Sequence, residues 1–200
     1  MHKHSEEMID LEGLERGDAK AFERIYGRYR DRVYGFAYRM LNSQPLAEEV
    51  THEAFLVLIE HPQRYDAERG SVLTFLCAIA RNQIMHHFRH SGHEAEGILD
   101  GGDVDLVGGE NVLEGDPLTN LLDEELAAEV NRVVATLPVP LREAIVLREY
   151  QGLSYEEIAD VAGVSVNTIK VRLHRARRAL ARALAPYINI RNGGCCHELC

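Results

Sequence analysis

The segment from Ser154 to Leu184, SYEEIADVAGVSVNTIKVRLHRARRALARAL, constrains the fold more than any other part of this sequence. Ser154 and Glu157 have the spacing of a capping box, which predicts that a helix begins at this point. Gly163 suits a tight turn that needs a positive φ angle, and Ser165 can cap the helix that follows. Two helices joined at such a turn are typical of a helix-turn-helix.

The second of these helices is predicted to have one apolar face and one polar, basic face. Helical spacing places the inward side chains at Ile169, Leu173, Ala176 and Leu180. The residues expected to contact DNA are Ser165, Asn167, Thr168, Lys170, Arg172, His174, Arg175 and Arg178. Asn167 and Lys170, near the helix start, are placed for base edges in a major groove, whereas the arginines suit phosphates. A solvated basic helix is the alternative, but residues 165–191 hold seven basic residues and no acidic one, which favours DNA binding.

The rest of the chain also predicts helices, because its apolar residues recur at steps of three and four. One apolar stripe covers residues 22–40, and a second helix is predicted to start at Pro45. A third, amphipathic helix is predicted over residues 71–89, and helical spacing returns over residues 121–135. The predicted fold class is therefore all-α.

Acidic residues are concentrated in one part of the chain. The 200 residues have a formal net charge of −10, yet residues 91–131 contain twelve acidic residues and no lysine or arginine. Residues 91–118 lack helical spacing and are rich in Gly, Asp and Glu, which predicts a flexible acidic linker. The predicted organisation is an N-terminal extension, two small helical domains on this linker and a C-terminal tail, at residues 1–16, 17–90, 119–186 and 187–200.

Neither secretion nor membrane insertion is expected, because the chain lacks a signal-peptide pattern and any run of about eighteen apolar residues. A cytoplasmic location is expected instead. Cysteines in that reducing compartment should be thiols or metal ligands rather than disulfides.

Four stretches together resemble the extracytoplasmic-function sigma factors of bacterial RNA polymerase. They are GDAKAFERIYGRYRDRVYGFAYRML, AEEVTHEAFLVLI, RYDAERGSVLTFLCAIARNQIMHHFR and LPVPLREAIVLREYQGLSYEEIADVAGVSVNTIKVRLHRARRAL, in the order and spacing of that family. The resemblance implies that residues 17–90 bind core RNA polymerase and read the minus-ten element of promoter DNA. Residues 119–186 would read the minus-thirty-five element. An anti-sigma factor is a further partner that the family suggests, and the sigma function would need no catalytic residue and no cofactor.

The resemblance also implies roles for individual residues of the first domain. Polymerase docking falls on three acidic residues, Glu48, Glu49 and Glu53, whose alternative is a solvated acidic face. The minus-ten contacts fall on the polar side of the third helix, at Arg81, Asn82, His86 and Arg89. Separated strands expose bases to such polar groups, while arginines hold the backbone. Phe75 stands where the family usually has tryptophan and His86 where aspartate is common, so the promoter sequence stays open.

Histidines and cysteines offer candidate metal ligands. His86 and His90 have the four-residue spacing that puts two imidazoles on one helix face and allows a metal pair, but ordinary polar contacts to nucleic acid are the favoured explanation. Cys77 falls on the apolar side of its helix and is predicted to be a core residue.

The C-terminal tail carries the remaining thiols, and its candidate ligands are Cys195, Cys196, His197 and Cys200. Thiolates and an imidazole suit zinc, copper or cadmium. Some members of the resembling family have cysteine-rich C-terminal extensions that respond to metals. Metal sensing, a thiol-disulfide switch and the absence of any regulatory role all remain open for this tail.

A sigma factor is the function that the whole pattern favours. The alternative is a stand-alone helix-turn-helix regulator that acts without polymerase docking. An enzyme is disfavoured, because the sequence has no phosphate-binding glycine loop, no nucleophile elbow and no zinc-protease motif.

Overall fold

A computed structural model describes residues 10–14, 16–67, 69–90 and 121–192, with side chains omitted for 121–127 and 186–192. Its helices are α1 (Ala19–Leu41), α2 (Gln44–Glu60), α3 (Val72–His90), α4 (Leu121–Thr136), α5 (Val139–Ile145), α6 (Tyr155–Ala162) and α7 (Val166–Asn192). A 3₁₀ turn at Pro62–Arg64 follows α2, and a π-helical turn at Val146–Tyr150 follows α5. No strand occurs in the described part of the chain, so the all-α prediction is confirmed.

The N-terminal half is a three-helix unit of α1, α2 and α3. The Asp18 carboxylate caps α1 by accepting a hydrogen bond from the Lys20 amide at 2.9 Å, and α1 ends before Asn42 in the left-handed conformation. The apolar stripe predicted for α1 is buried at Ile25, Tyr29, Val33, Phe36 and Met40. Burial of these side chains against α2 and α3 is the main stabilising contribution in this half.

Residues 10–14 add a short helical segment to this unit. Leu11 and Leu14 are buried at 7% exposure each, and the Asp10 carboxylate accepts a hydrogen bond from Arg24 Nε at 2.7 Å. These residues belong to the predicted N-terminal extension, residues 1–16, and the two leucines join the hydrophobic core. Two leucines three residues apart are too short a pattern to predict their packing.

The C-terminal half contains the predicted helix-turn-helix. The Ser154 side chain accepts a hydrogen bond from the Glu157 amide at 3.1 Å, and Glu157 Oε2 accepts one from the Ser154 amide at 2.8 Å. Gly163 has a φ of 66°, and Ser165 Oγ accepts a hydrogen bond from the Thr168 amide at 3.1 Å. The capping box, the glycine turn and the second cap are therefore all confirmed.

The π-helical turn directs two side chains from the second half towards the first. Its register shift is marked by a hydrogen bond of 3.2 Å from the Gln151 amide to the Val146 carbonyl. The Tyr150 ring then lies 4.0 Å below the Arg39 guanidinium. Gln151 Nε2 donates to the Arg32 carbonyl at 3.1 Å, and the Arg32 guanidinium donates to the Gln151 carbonyl.

The two halves share one continuous hydrophobic core. Arg142 lies at its edge and donates hydrogen bonds to the Met40 carbonyl at 2.7 Å, the Leu137 carbonyl at 3.0 Å and the Ala135 carbonyl. A single cation thus satisfies carbonyls at the C-terminal ends of α1 and α4, where the helix dipoles favour positive charge. Burial lowers the pKa of Arg142. Among the described helices, none is both long enough and apolar enough to cross a bilayer.

Candidate nucleic-acid interface

The polar face of α7 is exposed over its first three turns. Ile169, Leu173 and Ala176 are buried at 0%, 1% and 0% exposure, so the opposite face points away from the core. The exposed predicted contacts are Ser165, Asn167, Lys170, His174, Arg175 and Arg178, while Thr168 and Arg172 are half-buried. The structure therefore brings most of the predicted minus-thirty-five set onto one accessible helix face.

Val171 lies in the middle of this face and is 50% exposed. An aliphatic side chain beside Lys170 and Arg175 has no core to pack against. In a major groove it suits the methyl group of thymine. The sequence contains a signal for this contact, because Val171 is an apolar residue at a position that helical spacing predicts to be exposed.

Arginines at the two edges of α7 form ion pairs with acidic residues. Arg177 Nη2 lies 2.7 Å from Glu149 Oε1, and hydrogen bonds to Glu149 and Tyr155 raise the pKa of Arg177. On the other edge, Arg172 Nη1 lies 3.7 Å from Glu143 Oε2. These two edge arginines are therefore paired with carboxylates within the protein, whereas Lys170 and Arg178 lie on the exposed face between them.

The polar side of α3 is divided between solvent and the second half of the chain. Asn82, His86 and Arg89 are exposed, at the spacing of one helix face. Arg81 instead lies in the contact between the halves, where its Nε donates to Glu143 Oε1 at 2.5 Å. Three of the four predicted minus-ten residues are thus brought together at the surface, and the fourth is covered.

His86 and His90 stack on the exposed end of α3. Their ring centroids are 4.0 Å apart, and His90 Nδ1 lies 3.0 Å from the His86 carbonyl oxygen. The charge of His90, with smaller contributions from desolvation, Arg89 and His87, lowers the pKa of His86. His86 is therefore mainly neutral at neutral pH and can both donate and accept a hydrogen bond.

The loop before α3 holds an aromatic pair. The Tyr65 and Phe75 ring centroids are 5.8 Å apart at an interplanar angle of 78°, and Tyr65 Oη donates to the Gly70 carbonyl at 3.0 Å. Phe75 is half-buried at the position where the resembling family usually has tryptophan. Phe75 packs edge-on against Tyr65, a favourable geometry for two aromatic rings.

The acidic residues predicted to dock on polymerase are all exposed on α2. The aliphatic Ile59, near the C-terminal end of the same helix, is also 40% exposed. Gln44 Nε2 donates to Glu48 Oε1 at 3.1 Å. The helix α2 therefore presents negative charge and, further along, an exposed apolar side chain.

The cysteine predictions divide between described and undescribed residues. Cys77 is fully buried, as predicted, and burial raises the pKa of its thiol to about 12. The C-terminal tail ligands and the acidic linker lie outside the described residues, so predictions about them stay predictions. Within the described ranges, no group of three or more His, Cys, Asp or Glu side chains is placed to hold a metal ion.

The polar and charged residues at the contact between the halves were not predicted as contact residues from the sequence. Arg32, Arg142, Glu143 and Gln151 lie in it, and Glu143 is only 2% exposed. A signal was present at Glu143, because helical spacing within LREAIVL directs this carboxylate inwards with the apolar residues.

Comparisons with known proteins agree with this geometry. Residues 25–94 match the family model for Sigma-70 region 2, and residues 127–180 match the model for Sigma-70, region 4. The chain is 34% identical to the ECF RNA polymerase sigma-E factor of Escherichia coli strain K12 over 196 residues, covering 92% of this chain and 98% of that protein. It is 30% identical to the RNA polymerase sigma-H factor of Pseudomonas aeruginosa, over 89% of this chain and 93% of that protein.

Two solved structures share the fold. One is the sigma factor RpoE in complex with the anti-sigma factor NepR from Bartonella quintana, with a TM-score of 0.64 and 22% identity over 84% of this chain and 98% of that one. The other is CnrH in complex with the cytosolic domain of CnrY, with a TM-score of 0.65 and 21% identity over 90% of this chain and 98% of that one. The region 2 and region 4 matches and the sequence relatives establish that the chain belongs to the extracytoplasmic-function sigma factors.

Proposed function

We propose that this chain binds core RNA polymerase and directs promoter-specific transcription initiation by reading two DNA elements with two different helices. The observation that carries the proposal is the presence of two separate polar helix faces, on α3 and α7, in one chain of this family. The division of labour follows the predicted domains, residues 17–90 and 119–186. A sigma factor of this kind needs no catalytic residue and no cofactor of its own.

The minus-thirty-five element is assigned to α7. Asn167 and Lys170 lie at the exposed start of the helix, where recognition helices contact base edges. Arg175 and Arg178 follow on the exposed face and suit phosphates. Val171 adds an apolar contact between these polar groups.

The minus-ten element is assigned to the polar side of α3. Asn82 and His86 offer donors and acceptors to the edges of unpaired bases, and Arg89 suits the backbone. Arg81 would join them once its contact with Glu143 opens. This reading needs separated strands, which polymerase binding would supply.

Docking on core polymerase is assigned to the exposed acidic surface of α2. Glu48, Glu49 and Glu53 can meet a basic surface, and Ile59 adds exposed apolar area further along the same helix. An anti-sigma factor is a further proposed partner, since both structurally similar proteins were solved in complex with another protein, which for RpoE is the anti-sigma factor NepR. Because its proposed partners are chromosomal DNA and RNA polymerase, we expect the chain to act in the cytoplasm.

The C-terminal tail is proposed as a regulatory addition that senses a soft metal ion. The support is chemical, because Cys195, Cys196, His197 and Cys200 offer thiolates and an imidazole within six residues. The test compares bound zinc, copper and cadmium in the purified chain and in a variant with the three tail cysteines changed to serine. Equal metal content in both proteins would remove the proposal.

Run-off transcription tests the sigma function. Core polymerase with this chain should produce defined transcripts from a promoter library that core polymerase alone does not produce. Changing Glu48, Glu49 and Glu53 to glutamine should abolish them, whereas the matched control Glu23→Gln with Asp31→Asn, at exposed positions of α1, should not. A stand-alone regulator would bind DNA but give no polymerase-dependent transcripts.

A further inference from the structure

One buried carboxylate connects the two helices that are assigned to promoter DNA. Glu143 on α5 is 2% exposed, and each of its oxygens faces a different arginine. Its Oε1 accepts a hydrogen bond from Arg81 Nε on α3 at 2.5 Å, and its Oε2 lies 3.7 Å from Arg172 Nη1 on α7. One arginine was predicted to contact the minus-ten DNA and the other the minus-thirty-five DNA.

The chemistry of this site imitates a phosphate contact. Guanidinium groups bind carboxylates and phosphates through the same N–H donors, and the anion in both cases presents two oxygens. A carboxylate as buried as Glu143 needs such partners, because an unpaired buried charge is strongly destabilising. Arg81 and Arg172 retain only 24% and 20% side-chain exposure, so they cannot bind a DNA backbone while they hold Glu143.

A second contact, between α3 and α6, also holds α3 against the C-terminal half. Thr74 on α3 donates a hydrogen bond to Glu157 Oε1 on α6 at 2.7 Å, and Thr74 is itself 4% exposed. This contact lies two helical turns before Arg81, so α6 holds α3 at Thr74 and α5 holds it at Arg81. The minus-ten helix is therefore partly masked by the domain that reads the other element.

The proposed docking surface is not part of this contact. Glu48, Glu49 and Glu53 on α2 are exposed in the same structure, and most of α7's polar face is exposed as well. The closed arrangement thus leaves the docking surface and the minus-thirty-five face other than Arg172 accessible, and restricts the minus-ten helix.

We propose that Glu143 is an intramolecular competitor of DNA phosphate that keeps the minus-ten helix closed until the two halves separate. This inference rests on the proposed function of α3 as the minus-ten reader. It predicts that the chain without polymerase binds single-stranded DNA weakly. Opening the contact then releases Arg81 and the covered side of α3 together.

The test measures binding of the full chain, without polymerase, to a fluorescent single-stranded oligonucleotide of mixed sequence. Glu143→Gln keeps the shape of the side chain but removes its charge, and should bind about tenfold tighter, as expected if the wild type is open about one-tenth of the time. Glu149→Gln is the matched control, since Glu149 is 48% exposed, pairs with Arg177 and carries the same charge. It should change affinity by less than about twofold.

A second readout reports the separation of the halves. Glu143→Gln should increase the radius of gyration in small-angle X-ray scattering, whereas Glu149→Gln should not. Thr74→Val removes a hydrogen bond to the Glu157 carboxylate at the same interface without changing the charge of the chain, and should move both readouts in the same direction. If circular dichroism shows that Glu143→Gln is unfolded, Thr74→Val still tests whether closure of the two halves restricts DNA binding by α3.

Unchanged DNA affinity in a folded Glu143→Gln variant, or an increase matched by Glu149→Gln, would overturn the proposal. Expansion without tighter DNA binding would also overturn it, because Glu143 would then hold the halves together without competing with phosphate. Run-off transcription by the wild type separates the two claims. If the wild type supports transcription but the variants bind DNA no more tightly than the wild type, only the role of Glu143 as a competitor is rejected. If the wild type supports no transcription, the proposed sigma function is rejected.

Discussion

Replacing Arg178 by alanine should weaken binding to minus-thirty-five DNA, whereas replacing the adjacent Arg177 should have little effect. Arg178 lies on the exposed face of α7, opposite the buried Leu173. Arg177 is also half-exposed, at 50%, but its guanidinium is held 2.7 Å from Glu149. Both residues are arginines and both variants remove one positive charge. A difference between the two variants therefore reports the position of the side chain on the helix.

The magnitude follows from the number of basic side chains on the face. The exposed basic residues on this side are Lys170, Arg175, Arg178 and Arg182. If each neutralises one phosphate, the slope of log affinity against log salt concentration from α7 is about −3.6, and loss of Arg178 changes it to about −2.7. The corresponding loss of affinity is about eightfold at 0.1 M salt and vanishes towards 1 M.

The assay is fluorescence anisotropy with a duplex selected for binding to the purified chain, over a series of salt concentrations. Arg178→Ala should show both the weaker affinity and the shallower slope, with Arg177→Ala close to the wild type. Equal losses for both variants, or an unchanged slope for Arg178→Ala, would refute the assignment of this face to phosphate.

Three further predictions concern the described core. Arg142→Met should lower the free energy of unfolding by about 2–4 kcal/mol in urea titrations followed by circular dichroism, because three charge-assisted hydrogen bonds to helix ends are lost; a loss below about 0.5 kcal/mol would contradict this role. Burial alone would raise the pKa of Glu157, but hydrogen bonds from Ser154 and Thr74 lower this pKa below 4.5. The ionised Glu157 side chain therefore stabilises the fold above pH 4.5, and this stabilisation is lost as the pH falls through the lowered pKa. Glu157→Gln should therefore flatten the decline of melting temperature below about pH 4.5, and parallel declines would be evidence against this linkage. With a pKa of about 12, Cys77 should escape alkylation by iodoacetamide in the native chain and react after unfolding in urea, as measured by peptide mass spectrometry; native labelling would show that the thiol is accessible.

The helix-turn-helix could be predicted from sequence because its signals are local. Ser154 and Glu157 cap one helix within four residues, and Gly163 needs only its own φ angle. The faces of α7 likewise follow from helical spacing, which places Ile169 inside and Lys170 outside. Each of these features depends on residues a few positions apart.

The contact between the halves could not be predicted in the same way. Arg81 and Glu143 are 62 positions apart, and Arg32 and Gln151 are 119 positions apart. Their pairing depends on the orientation of two domains, which periodicity does not determine. Arginines on an amphipathic helix are ordinarily solvated, so nothing at Arg81 distinguishes a DNA contact from an internal ion pair.

Mapping of the promoter elements that core polymerase uses with this chain tests the two-helix assignment most directly. Transcripts from a randomised promoter library would be sequenced for the wild type, for Asn167→Ala with Lys170→Ala, and for Asn82→Ala with His86→Ala. The wild type should select two separated elements, the α7 variant should lose preference only at the upstream element, and the α3 variant only at the downstream element. Loss of both preferences in either variant, despite native circular dichroism, or selection of a single element by the wild type, would contradict the assignment.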